Sequence, residues 1–274
     1  MQSLRRFIFR LYNSTQSRKA SRSLLKAAKS GDRDQYLALV SNYINLSQVY
    51  LGSSFAESPE ERLERTERLF INLWSRLPFA ERLSDYEYML AQALLNYAES
   101  DSGSVFSPEP LVTKLRLLEP TTRLAVLAYE LENWPLRWIA LTLRVRPQAL
   151  HQLLSQARCE LCGIGWESLA QEERNCLVAI SEAMDCSPNV RVNKALSTRI
   201  ADFPKVAEIK ALWLELRPQL VEVRHRYISE DDSRDELLGQ IFERTRHAAM
   251  QRPAMMDRVV NSVHFSRHGA SKVS

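Results

Sequence analysis

The sequence predicts an all-α protein, because its apolar residues recur with the three-to-four-residue period of an amphipathic helix wherever they cluster. Two further observations agree. Glycine is scarce, with 7 in 274 residues (Gly31, Gly52, Gly103, Gly163, Gly165, Gly239 and Gly269), and each is read at the edge of a periodic segment. Prolines such as Pro78, Pro135 and Pro147 stand where one periodic stretch stops or the next begins, as expected of a residue that cannot donate within a helix but suits its first turn.

Taken in order, residues 1–22 are read as a basic arm. Through residue 30 the chain holds Arg5, Arg6, Arg10, Arg18, Lys19, Arg22, Lys26 and Lys29 and no acid, a charge pattern suited to an anionic surface such as nucleic acid. Residues 23–98 form the first helical block. There Leu63, Leu69, Phe70, Leu73, Trp74 and Leu77 lie at helical spacing, Pro78 interrupts, and Met89, Ala93, Leu94 and Tyr97 begin a second stripe. Residues 99–110 are rich in Ser and Pro, the composition of a flexible linker. Residues 111–163 predict three short helices: one with Leu124, Leu127, Ala128 and Leu131 on a face, one with Leu136, Ile139, Ala140 and Leu143, and one with Leu150, Leu154, Ala157 and Leu161. Only Arg144 to Arg146 separate the last two, the appearance of a helix-turn-helix. Residues 164–274 predict a helical C-terminal extension, with capping boxes at Ser168–Gln171 and Ser233–Glu236. Leu169, Cys176, Leu177, Ile180 and Met184, then Leu237, Leu238, Ile241, Phe242 and Thr245, form its stripes, and Trp213 with Leu212, Leu216 and Leu220 suggests a further buried face.

Composition narrows the function. The chain is 45% hydrophobic and 26% charged with a formal net charge of +4, and no apolar run approaches the roughly 20 residues needed to span a bilayer, so no membrane insertion is expected. Cys159, Cys162, Cys176 and Cys186 are read as free thiols of a cytoplasmic protein. No glycine-rich phosphate loop, nucleophile with a matching base, or metal-ligand spacing is recognisable, so neither enzyme activity, cofactor nor metal is expected.

Two of these blocks, in this order, resemble the two conserved domains of the extracytoplasmic-function class of bacterial sigma factors. Leu24-Leu-Lys-Ala-Ala-Lys-Ser-Gly-Asp32 leads through Tyr36 and Leu39 to Glu64-Arg-Thr-Glu-Arg-Leu-Phe-Ile-Asn-Leu-Trp74 and Leu77-Pro78, which is similar to that family's region 2, the polymerase-binding domain. Leu118-Glu-Pro-Thr-Thr-Arg123, Leu127, Leu131, Ile139-Ala140, Leu143, Leu150, Leu154 and Ala157-Arg158 resemble region 4, whose helix-turn-helix reads the upstream promoter element. The resemblance implies transcription initiation as the process, with core RNA polymerase and promoter DNA as partners and an anti-sigma protein as a further one. It implies that Glu64, Glu67, Arg68, Phe70 and Trp74 bind polymerase, with one of Phe70 and Trp74 packed inside and the other meeting the partner. DNA contacts fall to Arg144, Arg146, Gln148, His151, Gln152 and Ser155, because Gln reads adenine edges, Ser reads either strand and Arg holds phosphates.

The chain also departs from the family. Met89-Leu-Ala-Gln-Ala-Leu-Leu-Asn96 has no cation where the family carries arginines for melting the downstream element, leaving Tyr86, Tyr88 and Tyr97 as stacking groups, and the centre of the recognition helix has no Lys or Arg. A second expectation therefore stands beside the first: a sigma-derived regulatory interaction protein that keeps the fold with weak or no promoter binding.

Overall fold

A computed structural model describes residues 18–55, 58–100, 107, 109–185, 200, 202–228 and 230–248. All regular structure among them is helical, with no strand. The arm's residues 1–17 and most of the expected linker, 101–106 and 108, lie outside the described residues, as do 186–199 and 249–274.

Helix α1 covers 18–29, so the last residues of the expected arm are helical and continuous with the first block. It stops at Gly31, whose φ of 95° lies in the left-handed region that only glycine enters cheaply. Helix α2, Arg33–Ser41, is capped by the Asp32 side chain accepting from the Gln35 N–H, and α3 runs Ile44–Ser54. Helix α4, Pro59–Arg76, starts with a full capping box. The Ser58 hydroxyl accepts from the Glu61 N–H while the Glu61 carboxylate accepts from the Ser58 N–H, an arrangement that contributes about 1 kcal/mol. A single 3₁₀ turn at Leu77–Phe79 absorbs Pro78, and α5 occupies Leu83–Ser100.

The next block has four helices rather than three. Leu111 to Leu117 form a separate helix α6, Pro110–Leu117, followed by α7, Pro120–Glu130; α8, Leu136–Leu143; and α9, Pro147–Leu161. Each connection begins or ends at a proline, which the apolar pattern alone did not resolve into four. Helix α9 closes on Gly163, with φ 82°, and the Ile164 N–H returns to the Cys159 carbonyl at 2.8 Å.

In the extension, α10 covers Gln171–Asp185, α11 covers Pro204–Tyr227 and α12 covers 231–248. Neither expected capping box forms. Ser168 belongs to a 3₁₀ turn and donates to the Gly165 carbonyl; the Ala170 N–H is instead met by the Glu173 carboxylate. Ser233 falls inside α12. Gly52 and Gly239 likewise lie within helices, not at their edges.

One apolar cluster runs from Leu25 and Tyr36 through Trp74, Leu90, Leu127 and Leu154 to Leu220 and Ile241. The two blocks expected as separate units therefore share a buried seam, in which α5 packs on α7 and α8 and α3 packs on α6 and α7. A second cluster joins Cys159, Trp166, Leu177 and Ile180 to Val206, Ile209 and Trp213.

Helix α11 belongs to both clusters. Val206, Ile209, Trp213, Leu216, Leu220 and Val223 are buried at alternating three- and four-residue steps, the seam of a helix that lies along its neighbours, whereas Leu212 is exposed. At a rise of about 1.5 Å per residue its 24 residues reach roughly 36 Å, enough to touch α9 and α10 at one end and α3 at the other. Arg217 donates to Asn133 Oδ1 at 2.7 Å and Arg224 to Glu132 Oε1 at 3.1 Å, and Tyr227 packs so closely on Gly52 that a Cβ there would lie 2.3 Å from its ring.

Candidate functional site

Helices α8 and α9 are joined by the three-residue connection Arg144 to Arg146 that the sequence predicts. Helix α8 ends on Arg144, whose φ of 55° gives it the left-handed cap conformation, and Pro147 opens α9 two residues after the intervening Val145. That conformation costs a side-chain-bearing residue on the order of 1 kcal/mol. It is supported by the Arg144 guanidinium lying 3.7 Å above the Tyr88 ring of α5, a cation–π contact that ties the turn to the first block.

The expected DNA-reading residues separate into two groups. Arg144, Arg146, Gln148 and Gln152 are exposed at the turn and the start of α9. His151 is half-buried, and desolvation pushes its pKa below the ordinary 6.5, with Arg158 acting in the same direction and Glu182 opposing. Ser155 departs from expectation. It is fully buried, donating to the His151 carbonyl at 2.8 Å, and Cys159 beside it on the same face is buried as well. The cause is the extension: α10 and α11 pack on the side of α9 turned away from α7 and α8. A helix covered on two sides can offer only its exposed N-terminal end to a partner.

Arg158 shows how firmly that second side is closed. Its Nε and Nη2 donate to Glu130 Oε1 at 2.9 and 2.6 Å, and its Nη1 donates to Ser181 Oγ at 2.8 Å. The guanidinium also lies 5.2 Å from the Tyr129 ring and 5.4 Å from that of Trp213. Four helices thus meet at one buried cation. Its helical position among apolar residues carried the only sequence signal, since the partners come from distant segments.

Helix α4 distributes the expected polymerase-binding residues in three ways. Glu64 and Arg68 are exposed and form an ion pair one turn apart. Phe70 and Trp74, of which one was expected to face outward, are both fully buried. Tyr36 donates to the Phe70 carbonyl at 2.5 Å and its ring sits 4.8 Å from that of Trp74, so α2 claims the face that both aromatics occupy. Glu67, expected at the surface, is covered by α12: its side chain is 3% exposed, with Arg244 Nε 2.8 Å from Oε1.

Helix α5, expected to face melted promoter DNA, lies in the seam. Tyr86 is fully buried, Tyr88 sits beneath Arg144, and Tyr97 is half-buried. Glu87 between them is buried too, accepting from Arg18 at 3.0 Å and from the Tyr43 hydroxyl at 3.1 Å. Desolvation raises its pKa against the opposing pull of Arg18 and the Tyr43 hydrogen bond, while desolvation and the neighbouring carboxylate raise that of Tyr43. Arg18 also lies 4.4 Å from the Trp138 ring of α8, so a cation from the basic arm fastens the two blocks together.

Cys159, Cys162 and Cys176 are free thiols, and Cys186 lies outside the described residues. Burial pushes the Cys159 thiol up to about 12 and raises that of Cys162, and thiols held protonated are poor nucleophiles. No group of three or more His, Cys, Asp or Glu among the described residues is arranged to hold a metal ion, and no helix among them is long and apolar enough to cross a membrane. Comparison of the chain with protein-family models, with curated proteins and with solved structures gives no match.

Proposed function

We propose that this chain regulates bacterial transcription initiation on the plan of a small sigma factor, with core RNA polymerase and promoter DNA as its partners. The observation that supports this reading best is the exposed start of α9. There Arg146, Gln148 and Gln152 project beyond a helix-turn-helix whose turn is fixed by Arg144. In this reading residues 23–98 correspond to region 2, 111–163 to region 4, 99–110 to the linker between them and 164–274 to an addition, and the protein works in the cytoplasm. The seam between α5 and α8 then has to open before α5 can meet DNA.

The test is reconstitution of the purified full chain with core polymerase on a library of genomic fragments. Promoter-dependent transcripts are expected, together with co-purification of chain and polymerase. The absence of both, with a chain shown to be folded, sinks the proposal.

A second reading, a sigma-derived interaction protein that binds polymerase but opens no promoter, is favoured by one feature. Helix α5 has no cation over 89–96 and carries Tyr86 and Glu87 inside the seam. It predicts co-purification without promoter-dependent transcripts, and recovery of a specific DNA fragment by chain plus polymerase counts against it.

A further inference from the structure

The face of α4 that α12 covers has the features of an exchangeable contact. Helix α12 buries a narrow stripe, with Leu237, Ile241 and Thr245 fully enclosed at four-residue spacing and most of its remaining surface exposed. Its polar ties are asymmetric. Glu67 is 3% exposed while its partner Arg244 is 61% exposed, and the contact is an ion pair without hydrogen-bond alignment, leaving Glu67 Oε1 with no hydrogen-bond donor among the described residues. A buried carboxylate oxygen satisfied only by proximity is under-compensated, so a better-aligned cation on another helix gains by replacing Arg244. Two further contacts, Arg234 donating to the Ser41 carbonyl at 3.2 Å and Arg33 lying 4.5 Å from the Phe242 ring, attach α12 to α2. Beside the end of α12 an open groove remains, lined by Arg68, Ile71, Asn72, Arg244, His247 and Ala248.

We propose that the surface formed by α4 and α2 is a docking groove for a partner's amphipathic helix carrying a cation, and that α12 occupies it as an in-chain competitor. The chemistry of the occupant defines that of the partner: a branched apolar stripe to fill the site of Leu237 and Ile241, and an arginine or lysine about one turn from it to meet Glu67. The inference rests on α4 being the partner-binding helix of the proposed function.

The experiment uses the full chain with two substitutions made separately. Ile241→Asp drives α12 off by burying a charge, and Arg244→Glu reverses the ion pair at an exposed position that leaves the core untouched. A labelled synthetic peptide of residues 231–248 serves as the probe helix, and cooperative melting verifies that each variant is folded. Occupation in cis lowers the apparent affinity by the fraction of chains with a free groove, so both variants bind the peptide about tenfold more tightly than the native chain. A peptide carrying Arg244→Glu loses that gain, and Glu67→Gln in an Ile241→Asp chain weakens the native peptide. Equal binding by native and variant chains, or binding by neither, overturns the proposal. Core polymerase is the second probe. If the freed groove takes the peptide but no variant binds polymerase, the sigma reading fails and the groove stands; if polymerase binds while the peptide does not, the groove fails and the sigma reading stands.

Discussion

Helices α11 and α12 follow one another in the chain and do opposite things. Helix α11 buries six residues along its length and enters both apolar clusters, whereas α12 encloses three and reaches only one. The first is a strap whose removal exposes the core of both blocks; the second is a cover over α2 and α4. Amphipathicity alone does not distinguish a structural helix from a removable one. The distinction lies in how many elements a stripe touches.

The strap is broken most severely through Arg158. Glu130→Ala removes the carboxylate from a guanidinium whose side chain is 3% exposed, and stranding a buried charge costs about 3–5 kcal/mol. Chemical denaturation should show that loss, with the fluorescence of Trp213 changing in the same transition. Gly52→Ala is a milder test at the other end. The new Cβ would sit 2.3 Å from Tyr227, and overpacking of about 1–3 kcal/mol outweighs the roughly 1 kcal/mol that alanine gains in a helix interior. A net stabilisation would show that the end of α11 is not held against α3.

For the cover, the expectation is smaller and of another kind. Ile241→Ala in an integral core position would cost about 2–5 kcal/mol, but a segment that opens alone can lose no more than its own opening free energy. Global stability should therefore fall by about 1 kcal/mol or less, while hydrogen exchange of the amides in 231–248 accelerates and that of α11 does not. A full core-sized loss would make α12 part of the strap.

The smallest effect sharpens the comparison at α9. His151 has a folded pKa below 6.5, so its neutral form stabilises the fold above that value, and the contribution is lost as pH falls through the folded pKa. Replacement by Gln should flatten the stability profile on the acid side of pH 6.5 and leave it unchanged above. An unaltered acid limb would show that His151 is not desolvated against α10.

Much of this arrangement was legible in the sequence. The stripes of α7 and α9 are buried at the expected residues, as is that of α4 apart from the half-buried Leu63, and Pro147 begins α9. The same periodicity could not say what covers the opposite face. Ser155 and Glu67 sit at polar positions of amphipathic helices and looked outward for that reason; they are enclosed because α10 and α12, distant in sequence, lie over them. Phe70 and Trp74 share a face at four-residue spacing, but the demand of Tyr36 for that face is a long-range fact. The two missed capping boxes show the same limit at short range, since Ser168 and Ser233 match the motif while the local backbone uses Glu173 or continues the helix. Ser58-Pro-Glu-Glu61, which does form the motif, was not singled out.

The position of α11 late in the chain imposes an order on biosynthesis. Arg224 bonds to a residue 92 positions earlier, and Arg234 of α12 to one 193 positions earlier. At about 5–20 residues per second, roughly 10–40 s separate the synthesis of Ser41 from that of Arg234. Until residues 204–227 emerge, the chain carries α3, and from residue 161 onward α9 as well, without the helix that covers them. Contacts of such long sequence separation form late and slowly, so the nascent chain depends on chaperones or on the ribosome surface until the strap arrives. Truncation before residue 204 would leave that exposure permanent, and the product should aggregate rather than persist as a smaller version of the same fold.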